Sequence, residues 1–299
     1  MIDPTKDSIY TSILNENTYP TSRQSLIKLI QDKLGGKLIC YIESPDHPYA
    51  GIISHDAVYF ADVLQNIGDY KKGFLLLNSN GGSGNAAEKL LNMCRKKFTD
   101  EFTIIVPNFA KSAATMMCLG ADKIMMGYLA ELGPIDPQIP VSSGQLIPAR
   151  SFIDGLEMIR DNIKKKGDPP NMYLSMLQQV RPEIISICQS AIQDAQAFAE
   201  NWLSKYMLKN DTGHAKKVAE WLSDGKTYKS HGKVIDYVEA RDVLKLNVEQ
   251  IDPTIELWYW IWELYVRSTH FLKQRATQNA AKLYESDTVS LMMTITPPQ

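Results

Sequence analysis

Two short stretches of the sequence carry residues suited to acyl chemistry. The first, Asn78-Ser79-Asn80-Gly81-Gly82-Ser83-Gly84, follows the apolar run Phe74-Leu75-Leu76-Leu77 and precedes a helical pattern. A strand that stops there and turns through glycine into a helix leaves backbone N–H groups directed out of the carboxyl edge of a sheet, where they can hold negative charge. The spacing fits neither the dinucleotide nor the P-loop glycine pattern. What remains is an oxyanion hole for acyl transfer, or simply a tight turn that needs positive φ. The second stretch, Ala110-Lys111-Ser112-Ala113-Ala114-Thr115-Met116, sets one hydroxyl at an expected helix start among small residues. One reading of a serine there is simply an N-cap. Ser112 also stands at a strand's carboxyl end, one crossover from the glycine turn, and the N–H that follows it, on Ala113, can supply a second oxyanion donor.

The elements that must position these residues follow from hydrophobic periodicity. Residues 1–35 read as a polar, helical N-terminal segment stopped by Gly35-Gly36. Strands over 37–43, 73–78, 102–106 and 123–126 alternate with helices over 56–67, 85–98 and 112–119, the signature of an α/β fold with a parallel sheet and crossover helices. Past Gly133-Pro134-Ile135-Asp136-Pro137 the composition shifts. A loop holding Ser142-Ser143-Gly144 precedes helical stretches at 152–165 and 173–208, a small unit at 215–248, and a last helix over 256–285 that is apolar almost all round. Residues 290–299 read as a frayed tail. The domains expected are the segment 1–35, an α/β catalytic domain over 36–250, a C-terminal aromatic helix over 251–289 for packing or oligomerisation, and the tail.

Composition sets outer bounds. The chain has 299 residues, 44% hydrophobic and 22% charged, with 32 basic and 34 acidic side chains for a net charge of −2, which excludes a disordered chain and any global attraction to nucleic acid or anionic lipid. The four cysteines, Cys40, Cys94, Cys118 and Cys188, lack CxxC spacing and read as buried, reduced thiols, with no metal site and no cofactor. With no secretory h-region at residues 1–11 and no membrane-spanning apolar run, a soluble, cytoplasmic protein is expected.

Taken together, Asn78 to Ser83, then Ser112 among small neighbours, then Gly120-Ala121-Asp122, resemble the proteolytic subunit of the Clp protease and the signal peptide peptidase A group, both on the crotonase-like fold. Adding Leu132-Gly133-Pro134-Ile135-Asp136-Pro137-Gln138, Trp221-Leu222-Ser223-Asp224-Gly225-Lys226, Ser230-His231-Gly232 and Glu239-Ala240-Arg241-Asp242-Val243-Leu244-Lys245-Leu246, the chain is similar to the serine dehydrogenase proteinase family over about residues 35–285. The resemblance implies a serine endopeptidase: Ser112 as nucleophile, the amides of Gly81 and Ala113 as oxyanion hole, Asp136 as orienting acid and His231 as general base. In the Clp subunit a histidine stands about where Asp136 stands here, so the triad order changes to Ser, Asp, His. It also implies a peptide or protein substrate and a homo-oligomer of trimer or hexamer type. Nothing in these residues carries over serine dehydrogenase as the substrate.

Read from the residues alone, alternatives stay open. Asp136, between two prolines, either orients a base or caps a turn. His231, in a polar loop, either moves a proton or is merely solvated. His214 is a rival base on a helix capped by Asp211 or Thr212, while His47, His55 and His270 read as structural or surface residues. A Ser-Lys dyad would draw on Lys164, Lys165 or Lys166, which must be desolvated to act; beside Gly167-Asp168-Pro169-Pro170 they read as a solvated helix end. Lys111 is expected to point elsewhere. Two rivals differ in class: a Clp-like peptide-binding scaffold without turnover, and an acyl-CoA hydratase or thioesterase, which needs an acidic pair beside the glycine turn that the sequence does not place.

Overall fold

The computed structural model describes residues 8, 9 and 13, and 19–140, 145–178 and 180–296. Most of the N-terminal segment before Tyr19 therefore lies outside the described residues. Proline in the first helical turn needs no N–H partner, and α1 (Pro20–Leu34) starts there; Gly35, at φ 68°, closes it in the left-handed conformation. The expected alternation follows as β1 (Lys37–Glu43), α2 (Asp56–Asn66), β2 (Lys72–Asn78), α3 (Gly84–Lys97), β3 (Glu101–Val106), a two-residue β4 (Phe109–Ala110), α4 (Ala113–Leu119), β5 (Lys123–Met126) and β6 (Glu131–Leu132). Strands β1, β2, β3 and β5 pair in parallel, with Cys40 opposite Leu76 and Val106 opposite Met126. Asp122, of the Gly-Ala-Asp motif, holds Arg95 of α3 at 2.6 Å and accepts the Phe102 amide at 2.8 Å, fixing where β3 begins.

Residues Gly133–Lys233 form a compact unit of their own. A hairpin of β7 (Gln138–Pro140) and β8 (Leu146–Pro148) leads into α5 (Ala149–Asp161), a π-turn over Asn162–Lys166, α6 (Leu174–Leu177), α7 (Pro182–Lys205) and α8 (Thr212–Ser223). The Ser142-Ser143-Gly144 loop lies outside the described residues. The single helix expected over 173–208 is broken: Arg181 is extended, as a residue preceding proline must be, and α7 starts afresh at Pro182.

The remaining chain, from Val234, joins the first unit. It adds β9 (Val248–Gln250), α9 (Glu256–Gln274), β10 (Ala280–Glu285) and β11 (Ser290–Thr294), completing a seven-stranded sheet of order β11-β10-β1-β2-β3-β5-β9. Here two expectations are corrected. The last helix stops at Gln274, and 280–285 is a strand antiparallel to β1; residues 290–294 of the expected tail are the edge strand beyond it, while 297–299 lie outside the described residues. Lys282 and Glu285 disguised β10 as polar, yet both are fully buried, paired with Asp56 and Arg23 at 2.7 and 2.8 Å. Leu38, Cys40, Ile42, Phe74 and Leu76 share one sheet face by period two, and α1 and the aromatic α9 pack on it through Leu26, Ile27, Ile30, Trp258, Ile261 and Leu264. Thus α9 closes a core within the chain. Among the described residues no helix is long and apolar enough to cross a membrane, and all four cysteines are free and buried.

Candidate active site

Two parallel segments bring the glycine turn and Ser112 together. The Ser79 amide donates to Phe109 O at 3.1 Å, the Lys111 amide donates to Ser79 O at 3.0 Å, and the Phe109 amide donates to Asn78 Oδ1 at 3.2 Å. This stitching brings the glycine turn against the start of α4. A Cβ built on Gly81 would meet Lys111 O at 2.6 Å, Ser112 Cβ at 2.8 Å and the Ala113 nitrogen at 3.0 Å; with φ at 99° as well, only glycine fits.

Ser112 sits at φ 50°, ψ −117°, a conformation costing a non-glycine residue on the order of 1–3 kcal/mol. Its side chain makes no capping hydrogen bond to α4, so the plain N-cap role does not describe it. Small neighbours make the sharp turn possible: Ala110, Ala113 and Ala114 are buried, while Ser112 is only half-buried. Lys111 is committed elsewhere, its Nζ lying 2.9 Å from Glu131 and donating to Leu132 O at 3.0 Å.

The Gly81 amide, expected as an oxyanion donor, is engaged within the turn. The Gly81 amide donates to Ser79 Oγ at 2.9 Å and is buried, so it is already spent. The next amide is the available one. Gly82 is exposed, and among the described residues its N–H makes no hydrogen bond, nor does that of Ala113. The Ile52 amide grips Gly81 O at 2.7 Å, and a planar trans peptide therefore turns the Gly82 N–H away from Ile52. Residue type alone does not say which amide of a Gly-Gly turn faces out.

A second group of expected residues lies within the unit Gly133–Lys233. His231 Nδ1 lies 2.7 Å from Asp136 Oδ1, across a sequence separation of 95 residues. Asp136 is 2% exposed, and its second oxygen accepts from Gln138 Nε2 at 2.9 Å. The Ile135 amide, bonded to Leu222 O at 2.8 Å, holds the Pro134-to-Pro137 loop on the end of α8. An anchored carboxylate on Nδ1 fixes the ring and leaves Nε2 outside that bond. His231 keeps 32% of its side chain exposed. The rivals fare differently: Asp211 caps α8 by accepting the His214 amide at 2.9 Å, and His214 packs edge-on to Trp221. Lys164, Lys165 and Lys166 are all exposed, with Lys165 bonded to Asp161, the opposite of the desolvation a lysine base requires.

Sequence reasoning missed an acidic pair beneath the glycine turn. Glu43 closes β1 and is 1% exposed; Oε2 accepts the Asn80 amide at 3.0 Å and Oε1 lies 3.0 Å from Tyr41 Oη, which is itself 2.8 Å from Asp56 Oδ2. Burial pushes the Glu43 carboxyl up to about 8, against hydrogen bonds from Ser79 and Asn80 and the charge of Lys282. A charged residue ending an otherwise apolar strand was the available signal. Both acids are sealed from solvent. Among the described residues no group of three or more histidine, cysteine or acidic side chains could hold a metal ion.

The chain is similar to two uncharacterized proteins of Methanocaldococcus jannaschii. One is 31% identical over 205 residues, 68% of this chain and 60% of that protein; the other is 28% identical over 153 residues, 50% and 44%. The match thus spans less than two thirds of either relative's length. Among solved structures, it is similar to a serine-to-alanine mutant of the 1510-N membrane-bound stomatin-specific protease, with TM-score 0.42, 14% identity, and coverage of 67% of this chain and 75% of that one. A lysine-to-alanine mutant of the 1510-N protease in complex with a substrate peptide gives TM-score 0.40 at 15% identity, covering 67% and 71%. The description "ClpP-like SDH-type serine proteinase" matches residues 53–279, and the chain belongs to that family.

Proposed function

We propose that the protein is a serine peptidase using Ser112, His231 and Asp136, with the amides of Gly82 and Ala113 as its oxyanion hole. The observation that carries the reading is Ser112 itself: a half-exposed hydroxyl without a capping bond, at positive φ, beside two unengaged amides. Strain of this kind persists where the surrounding structure imposes it.

In the reaction, Ser112 Oγ attacks the scissile carbonyl carbon while its proton passes to His231 Nε2, and Asp136 holds the Nδ1–H side of the imidazolium. The carbonyl oxygen becomes an oxyanion received by the Gly82 and Ala113 N–H groups, each worth roughly 3 kcal/mol of barrier. Collapse breaks the C–N bond, His231 returns the proton to the leaving amine, and water repeats the sequence on the acyl-enzyme. The reading requires His231 Nε2 to reach Ser112 Oγ. The exposed lysines speak against a Ser-Lys dyad, and the four free, buried thiols fit a reducing compartment.

The test is active-site labelling by a fluorophosphonate, followed by peptide mapping. Labelling on Ser112, abolished together with peptide hydrolysis in Ser112→Ala, is expected. A Ser112→Ala protein that cleaves peptides at the parental rate refutes the reading; an unlabelled parent points instead to peptide binding without turnover.

A further inference from the structure

The glycine turn is held from below by a carboxyl sealed from solvent. Asn80 donates its amide to Glu43 Oε2 at 3.0 Å, the Ser79 hydroxyl donates to the same carboxyl, and Ser79 Oγ accepts the Gly81 amide at 2.9 Å. Two consecutive amides of the turn are thereby fastened, directly and through one hydroxyl, to a single buried group. The amide after them, on Gly82, is the one left free.

We propose that Glu43 is the positioning residue of this turn: by pinning the Asn80 and Gly81 amides inward, it presents the Gly82 amide outward to the oxyanion. The proposal rests on the serine peptidase reading above and deepens it.

The surroundings explain how a carboxyl holds this place. Asp56, its neighbour across Tyr41, is matched by Lys282 Nζ at 2.7 Å, Tyr284 Oη at 2.7 Å and the Ile53 amide at 2.9 Å, so the negative charge of the cluster resides there. Tyr41 has one hydroxyl proton and stands between two acids, so it cannot donate to both. With Tyr41 donating to Asp56, Glu43 fits by carrying its own proton and donating it to Tyr41 Oη from Oε1, while Oε2 accepts from Asn80. The upward displacement of the Glu43 carboxyl to about 8 supports that order. Glutamine reproduces this pattern, its NH2 donating to Tyr41 and its carbonyl oxygen facing the turn. An apolar side chain does not.

The experiment compares Glu43→Leu and Glu43→Gln with the parent, measuring kcat and KM on a fluorogenic peptide and amide hydrogen exchange over residues 79–82. Misaligning a donor by a fraction of an ångström should lower kcat of Glu43→Leu about tenfold to a hundredfold, with KM within about threefold. Glu43→Gln should recover most of that loss, and exchange of the Asn80 and Gly81 amides should be faster in the leucine variant only. Unchanged kcat in Glu43→Leu, a loss confined to KM, or a folded Glu43→Gln as impaired as Glu43→Leu overturns the proposal. If Glu43→Leu does not fold, Ser79→Ala carries the same test, because it cuts only the link to Gly81; parental kcat there overturns the proposal. If Ser112→Ala shows that the peptidase reading itself fails, hydrogen exchange decides alone: parental protection of Asn80 and Gly81 in the leucine variant, or of Gly81 in Ser79→Ala, overturns it.

Discussion

Gly81→Ala tests the geometry most directly, because one methyl group is placed where the two segments of the site touch. Alanine must adopt φ 99°, at a cost on the order of 1–3 kcal/mol. Its Cβ would lie 2.6 Å from Lys111 O and 2.8 Å from Ser112 Cβ, so backbone and elbow must separate by roughly 0.8 Å to regain van der Waals distance. Such overpacking adds about 1–3 kcal/mol. Together these should lower the melting temperature by roughly 3–10 °C. The displacement falls between nucleophile and oxyanion donors, where misplacement by about an ångström costs on the order of a hundredfold in rate. Fluorophosphonate labelling of Ser112, timed below the variant's melting temperature, reads that rate. The control is Gly155→Ala in α5, whose Cβ meets nothing within 4 Å. It should label at the parental rate and gain about 0.5–1 kcal/mol of stability from better helix propensity. A folded Gly81→Ala protein labelled as fast as Gly155→Ala would falsify the shared reacting centre.

Other expectations follow from the surrounding groups. Asp136→Asn should keep its fold yet lose on the order of 10³–10⁴ in kcat, since the amide no longer fixes His231 in the productive tautomer; steady-state kinetics showing less than a tenfold loss would rule His231 out as the oriented base. Glu43 binds its proton more tightly folded, at about 8, than at the ordinary carboxyl value of 4.5, so the stability it contributes is fully present below pH 4.5 and lost as pH rises through 8. Replacing it with glutamine removes that slope, and the melting temperature of Glu43→Gln minus that of the parent should therefore climb from pH 5 to pH 8.5; a flat difference contradicts the assignment. Burial drives the thiols of Cys40, Cys94 and Cys118 far above the usual range, so iodoacetamide should modify them only in denaturant, which mass spectrometry will register.

The first half of the fold was legible because its strands are apolar on both faces and its turns are marked by glycine and asparagine. Leu75-Leu76-Leu77 into Asn78 and Gly81-Gly82 leaves little room for another reading. The C-terminal strands were hidden by their own charges. Lys282 and Glu285 look like solvent residues until Asp56 and Arg23, more than 200 positions away, are seen to neutralise them in the core. Pro182 could have been read as a helix start, but the apolar spacing continued past it and masked the break. Within the site, Ser112 was legible from its small neighbours and Gly-Gly partner. That Gly82 rather than Gly81 offers its amide was not, because the choice depends on Ser79 Oγ and Ile52. Asp136 and His231 came from family resemblance, since no local pattern links residues that far apart.

The antiparallel seam between β1 and β10 bears on how the protein is made. A nascent chain emerging from the ribosome can zip β1, β2, β3 and β5 together early, but the flank of β1 stays open until residues 280–285 are synthesised. Lys282, the counterion for Asp56, arrives on that same strand. Until it does, the acidic cluster under the glycine turn is uncompensated, and the turn lacks its finished foundation. The last strand to be synthesised on that side therefore carries the cation that neutralises the buried acid beneath the turn.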